Sequence, residues 1–77
     1  MKAKDALRSM LEYEGVSAAA VASAMGKSSK YLHPILYAGR IPQADNYAAI
    51  CDALDYDLLA RSRKDGQEFV IDPPESG

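Results

Sequence analysis

A few residues in this sequence have side chains that could do chemistry. Ser28 and Ser29 stand near His33, a combination that could supply a nucleophile and a base. A base of that kind needs a group to orient it, and no Asp or Glu occurs anywhere in residues 15–44. His33 therefore reads as an exposed polar residue, and serines just ahead of a helix read as caps. Cys51 is the only cysteine, so no internal disulfide can form and no metal site can rest on thiolates. It falls on the apolar face of a helical segment and reads as a small hydrophobe. Asp52, Asp55 and Asp57 have the composition of a cation site, but Asp52 belongs to a helix and Asp57 to a strand, so convergence is not expected. No motif brings nucleophile, base and orienting group together. The sequence is read as that of a non-enzyme with no metal and no cofactor.

The missing acids carry a second message. The chain has 77 residues and a net charge of -2, with an isoelectric point near 5.2. Those figures would argue against a polyanionic partner. The sum is segregated, however. Residues 15–44 hold Lys27, Lys30 and Arg40 and no acid, a charge of +3. The remaining residues hold six cations and all eleven acids, a charge of -5. A surface cleared of acids can face a polyanion. The length allows one small domain, residues 1–77, which buries only about 60% of the surface its unfolded chain exposes. No apolar run approaches the roughly 20 residues of a membrane span, and the Lys-rich start leads into no signal-peptide core. With its single cysteine, the chain is expected in the cytoplasm.

Hydrophobic periodicity places these residues on elements. Ala3, Ala6, Leu7, Met10, Leu11 and Glu14 lie on one helical face, and Gly15 ends that helix. Ser17 caps a second helix over residues 18–24, stopped by Gly26. A third helix, capped by Ser28 or Ser29, is predicted to reach Tyr37, with Leu32, Ile35 and Leu36 buried. A fourth runs over residues 43–54, where Tyr47, Ile50, Cys51 and Leu54 keep i, i+3, i+4, i+7 spacing. Beyond Leu54 the period falls to two. Residues 56–72 then form a β-hairpin turning at Lys64-Asp65-Gly66, with Phe69 and Ile71 on one face and Val70 on the other. Residues 73–77 are expected to fray. The fold class is mainly α: a four-helix domain over residues 1–55 followed by the hairpin.

Helices two and three have a joint pattern. Ala22, Gly26, Leu32 and Ile35 stand at relative spacings of 0, 4, 10 and 13. Two helices crossing through a turn of three or four residues need a small side chain where they touch, and Ala22 supplies it. The turn needs a left-handed residue, and Gly26 supplies that. Residues 18–37 resemble the helix-turn-helix of the lambda repressor and Cro-like (XRE-type) DNA-binding family. The landmarks are Val16-Ser17, Val21-Ala22, Met25-Gly26-Lys27-Ser28, Tyr31-Leu32, Gly39 and Pro42, with Ala49-Ile50 to Ala53-Leu54 matching the fourth helix. The tail from Tyr56 to Pro73 is similar to the hairpin ending of a small bacterial and phage branch.

That resemblance implies a lambda repressor-like domain whose third helix enters the major groove of double-stranded DNA. Ser28, Ser29 and Lys30 would lead toward base edges, with Tyr31 and His33 next. Ser17 would meet a phosphate at the start of helix two. Lys27 and Arg40 would pair with phosphates and fix position. Tyr37 and Gln43 are weaker backbone candidates. Three features depart from the family pattern. Ala18 and Ser29 stand where members often carry Gln or Arg. Pro34 falls inside the predicted third helix, where it would delete the bond to the Lys30 carbonyl at a cost of about 3 kcal/mol and leave the helix short or kinked after Leu32. Only three cations occupy the central stretch, so a monomer should bind weakly.

The hairpin has apolar residues on both faces and open edges, which need a cover. A homodimer is expected through Leu59, Phe69, Val70 and Ile71, with hairpins of two copies pairing or packing. The implied function is a sequence-specific, repressor-like transcriptional regulator. The alternative is a protein-interaction module of the same scaffold, antitoxin-like or phage-encoded, with weak or no DNA binding.

Overall fold

In the predicted helical segments, apolar side chains recur every three or four residues and caps stand where the period breaks. The structure, a computed structural model describing residues 1–74, follows this pattern closely. It is mainly helical, with four helices and one two-stranded antiparallel hairpin. By its internal contacts the chain divides into two units, Met1–Pro42 and Gln43–Gly77. No helix among the described residues is long and apolar enough to cross a membrane.

In the first unit, α1 spans Ala3–Glu14 and buries Leu7 and Leu11. Gly15 takes φ 66°, and the Gly15 and Val16 amides donate back to the Glu12 and Leu11 carbonyls at 3.2 and 3.1 Å. These bonds satisfy acceptors that the helix end would otherwise leave open. α2 spans Ala18–Ala24 and buries Val21 and Ala22. Its Ser17 cap is formed, with the Ala20 N–H donating to Ser17 Oγ at 3.0 Å. Ala22 is wholly buried, as a contact-point residue should be. Gly26 takes φ 71°, and the Lys27 amide donates to the Ala22 carbonyl at 2.8 Å.

The third helix begins later than the sequence pattern predicts. Ser28 caps no helix; its Oγ accepts from the Lys30 N–H at 3.3 Å, a local serine turn. The chain then winds through two i→i+3 bonds, Tyr31 N–H to Ser28 carbonyl at 3.0 Å and His33 N–H to Lys30 carbonyl at 3.1 Å. α3 is His33–Ala38, six residues, so residues 25–32 join it to α2 instead of a turn of three or four. Pro34 explains the shift. It has no N–H to give the Lys30 carbonyl, so a regular i→i−4 ladder cannot pass through it. The ladder starts beyond it, with Leu36 N–H donating to the Leu32 carbonyl at 3.0 Å. Pro34 therefore sits in the first turn of α3, where the missing donor costs nothing. Of the two outcomes expected from Pro34, the helix is short and not kinked, and the interior-proline penalty does not arise. α3 buries Ile35 and Leu36 and packs on α1.

In the second unit, α4 spans Ala44–Ala53 and buries Tyr47, Ala48, Ile50 and Cys51, with Leu54 buried just beyond. It ends on Asp55 at φ 66°, the one non-glycine residue with positive φ among those described. The Asp55 and Tyr56 amides return to the Asp52 and Cys51 carbonyls at 3.0 and 2.8 Å. Asp is one of the few residues that tolerates this conformation, although glycine is the usual choice. β1 (Leu58–Arg61) and β2 (Glu68–Ile71) pair antiparallel, Leu58 opposite Ile71 and Arg61 opposite Glu68. Leu58 and Ile71 are half-buried, and α4 packs against both strands. In the turn, Gly66 takes φ 79° and the Gln67 N–H donates to Asp65 Oδ1 at 3.0 Å. That bond, followed by one with the Ser62 hydroxyl, holds the Asp65 carboxyl below the usual carboxylate range. Of the expected frayed tail, residues 75–77 lie outside the described residues.

Two substitutions test this account of the turns. A Cβ on Gly26 would meet nothing within 4 Å, so Gly26→Ala should cost only backbone strain, about 1–2 kcal/mol in a urea titration. Pro34→Ala should change stability by less than about 1 kcal/mol, whereas relief of an interior proline would add about 3 kcal/mol. A gain above 2 kcal/mol would return Pro34 to the helix interior.

Candidate nucleic-acid interface

The acid-free stretch lies almost wholly in one unit of the fold. Met1–Pro42 contains six cations and three acids, Asp5, Glu12 and Glu14, a charge of +3. Gln43–Gly77 contains three cations and eight acids, a charge of -5. The segregation seen along the sequence thus follows the boundary between the units.

All eight candidate interface residues lie in the first unit. Ser17, Lys27, Ser28, Ser29, Lys30, His33 and Arg40 are exposed, and Tyr31 is half-buried. The turn after Gly26 gathers five of them. Lys27 Nζ lies 5.5 Å from the centre of the Tyr31 ring, a cation–π contact that restrains a long side chain without neutralising it. The Ser28 hydroxyl is occupied by the Lys30 amide, so it shapes the turn and still offers its own hydrogen outward. His33 opens α3 and meets Tyr37 edge to face, the ring centres 5.3 Å apart at 84°. Tyr37 is 75% exposed, so this aromatic pair is a surface feature. Arg40 follows the left-handed Gly39, and its amide donates to the Pro34 carbonyl at 2.9 Å. Lys27, Lys30 and Arg40 make no ion pair with a carboxylate among the described residues.

The structure differs from the sequence expectation in how these residues are presented. Ser28, Ser29 and Lys30 project from a turn and not from a helix, because the helix starts only at His33. Ser17 stands apart at the start of α2, where its oxygen already accepts the capping bond. Among the described residues no side-chain hydrogen bond or ring contact ties Ser17, Ser29 or Arg40 to the others. Gln43, a weaker candidate, falls in the second unit.

One positioning residue was not visible in the sequence. Arg8 on α1 donates from its guanidinium to the Leu36 carbonyl at 2.6 Å. It satisfies an acceptor in the last turn of α3, where a cation is also favoured by the helix dipole. Local periodicity marks Arg8 only as a polar residue between Leu7 and Leu11. Nothing in it names a carbonyl 28 positions away.

The remaining reactive side chains are placed as packing. Cys51 is buried, and burial pushes its thiol above the ordinary value, away from the reactive thiolate. Burial, then the neighbouring Cys51, raises the Tyr47 phenol in the same way. The carboxylates of Asp52, Asp55 and Asp57 are spread over a helix, its cap and the approach to a strand, and no metal-binding group of three occurs among the described residues. The hairpin residues expected at a dimer interface divide between faces. Leu59 and Val70, 37% and 53% exposed, share one face, while Phe69, 66% exposed, and the half-buried Ile71 share the other.

Arg8→Ala should lower stability by about 1.5 kcal/mol in thermal or urea denaturation, the scale of a hydrogen bond from a charged donor. A loss below about 0.3 kcal/mol would make the Leu36 contact incidental. No protein-family model, no curated protein and no solved structure matches this chain.

Proposed function

We propose that this chain is a sequence-specific DNA-binding transcriptional regulator, repressor-like and cytoplasmic, with a lambda repressor-like helix-turn-helix domain that acts as a homodimer without catalysis or cofactor. One observation carries the reading. Three exposed cations, Lys27, Lys30 and Arg40, lie in an acid-free stretch of the chain, in the turn between α2 and α3 and the loop after α3, and make no ion pair with a carboxylate among the described residues.

On this reading Lys27 and Arg40 neutralise phosphates, which sets orientation but reads no sequence. Lys30 and Tyr31, with Ser28, Ser29 and His33, approach base edges from the turn and the first residue of α3. Lysine can donate to guanine O6 and N7, and a serine hydroxyl can donate or accept, so selectivity per residue is modest. Ser17 adds a backbone contact at the start of α2. Two copies double the charge of the reading surface from +3 to +6 and supply the second half-site that a weak reader needs.

A second reading, a protein-interaction module with weak or no DNA binding, is favoured by one observation: α3 has only six residues, and most of the candidate readers precede it. The two readings separate in a salt titration of binding to DNA selected from a random pool. On the first reading, selection converges on a two-fold site. Lys27→Ala and Arg40→Ala then weaken binding, and each removes one phosphate contact from both copies, lowering the slope of log K against log salt by about 1.8. Unchanged affinity and slope in both variants, or no salt-dependent binding at all, would leave the interaction module as the function.

A further inference from the structure

We infer that the free edge of β1 is a pairing edge for a second copy of this chain, joined antiparallel about a two-fold axis at Leu59, with Asp57 of each copy opposite Arg61 of the other. The inference rests on reading the protein as a homodimer and adds the surface and the register.

Among the described residues the sheet has two strands, so β1 has no strand on its other side. The Ser62 N–H donates to the Gln67 carbonyl at 2.8 Å, which extends the pairing one step beyond Arg61 and Glu68. Hydrogen-bonded positions alternate along an antiparallel ladder. Residues 58, 60 and 62 therefore turn their amides and carbonyls toward β2, residues 59 and 61 turn theirs to the open edge, and Asp57 joins them when the strand's period is continued by one residue beyond β1. Side chains alternate with the same period, so Asp57, Leu59 and Arg61 also share one face, opposite that of the half-buried Leu58. Leu59 and its cross-strand partner Val70 are exposed on that face.

A two-fold axis normal to the sheet must bring outward-facing residues of one copy to outward-facing residues of the other. Three registers do this over the strand. Centred on residue 58, Arg61 would meet Asp55, which is turned into a left-handed helix cap and cannot extend the strand. Centred on residue 60, Leu59 would meet Arg61, and Asp57 would meet Arg63 of the hairpin turn. Centred on residue 59, Leu59 meets Leu59 and both ends place Asp57 against Arg61. That register forms an unbroken apolar row, Val70–Leu59–Leu59–Val70, flanked on each side by opposite charges. Opposite charges facing across strands stabilise a sheet, and like charges destabilise it.

The charges of a single chain are left incomplete in a way that this register repairs. Continuing the observed pairing by one residue sets Asp57 beside Asp72, two acids on one edge. Arg61 reaches Glu68 only at 3.8 Å, with both side chains largely in solvent. A second copy brings a cation to Asp57 and a second acid to Arg61, and it turns an exposed two-stranded hairpin into a four-stranded sheet.

Sedimentation equilibrium on the full chain tests the register. Asp57→Arg and Arg61→Asp should each raise the dimer dissociation constant by about tenfold or more, and the combined variant should recover to within about threefold of the starting value. Facing Cα atoms in a hydrogen-bonded pair lie about 5.5 Å apart, within disulfide reach. Leu59→Cys in a Cys51→Ala background should therefore oxidise to a covalent dimer, a readout that holds even if a charge variant misfolds. A wild-type dimer that ignores both single substitutions and gives no Leu59→Cys cross-link would overturn the edge pairing and leave the dimer standing. A wild-type monomer at tens of micromolar that still binds DNA with a salt slope would overturn the dimer as well and spare the DNA reading.

Discussion

A proline cannot give a hydrogen to the carbonyl four residues before it, and the surface of the first unit is arranged around that fact. Because Pro34 leaves the Lys30 carbonyl without an i+4 donor, that carbonyl takes the His33 amide instead, at 3.1 Å. The chain over residues 28–33 is then wound by i→i+3 bonds, tighter than an α-helix and with side chains three apart aligned. Regular helix starts only where the proline's lack of a donor does not matter. The same residue helps close the far end, since its carbonyl accepts from Arg40 beyond the left-handed Gly39. Pro34 thus borders both the turn that holds Lys27, Lys30 and Tyr31 and the loop that holds Arg40.

A helix of six residues has little stability of its own, because nucleation costs more than so few bonds return. α3 is held by its surroundings: Ile35 and Leu36 are buried, α1 packs against it, and Arg8 satisfies a carbonyl in its last turn. Ile35 and Leu36 face inward, which leaves the outward side of α3 free to be polar. An exposed surface with three unpaired cations adds little to stability, as exposed charges generally do. The fold therefore constrains its composition little, and residues 15–44 contain no acid.

Much of the fold could be read in the sequence where one local signal sufficed. α1 and α2 have the bounds that apolar period and caps predict, and α4 differs by one residue at each end. Gly15, Gly26 and Gly66 take the positive φ that their places require. The reading failed where two local rules met. Ser28 and Ser29 resemble caps and give too early a start for α3, whereas Pro34 inside the predicted span points to a short or kinked helix, of which the short one is found. Taken together, a serine turn followed by a first-turn proline gives the observed start. Arg8 and Asp55 could not be read. The first acts on a carbonyl far along the chain, and the second fills a left-handed cap more often given to glycine. The candidate site was legible as a list of residues, but its geometry depended on α3 and changed with it.

The hairpin poses a different constraint. Four residues per strand and a single ladder leave every other amide and carbonyl of β1 turned outward. Water can satisfy those groups, but it does nothing for Leu59 and Val70 on the exposed face. Many proteins blunt such an edge with lysine, proline or a bulge. Here the edge carries one acid and one base, Asp57 and Arg61, placed symmetrically about a leucine. Charges of one sign would repel a second copy. Charges of opposite sign at equal distances from a centre are self-complementary under a two-fold rotation and under no other closed arrangement of that strand. An edge of this kind favours its own copy over arbitrary strands, which is the selectivity that the proposed two-site reader would require.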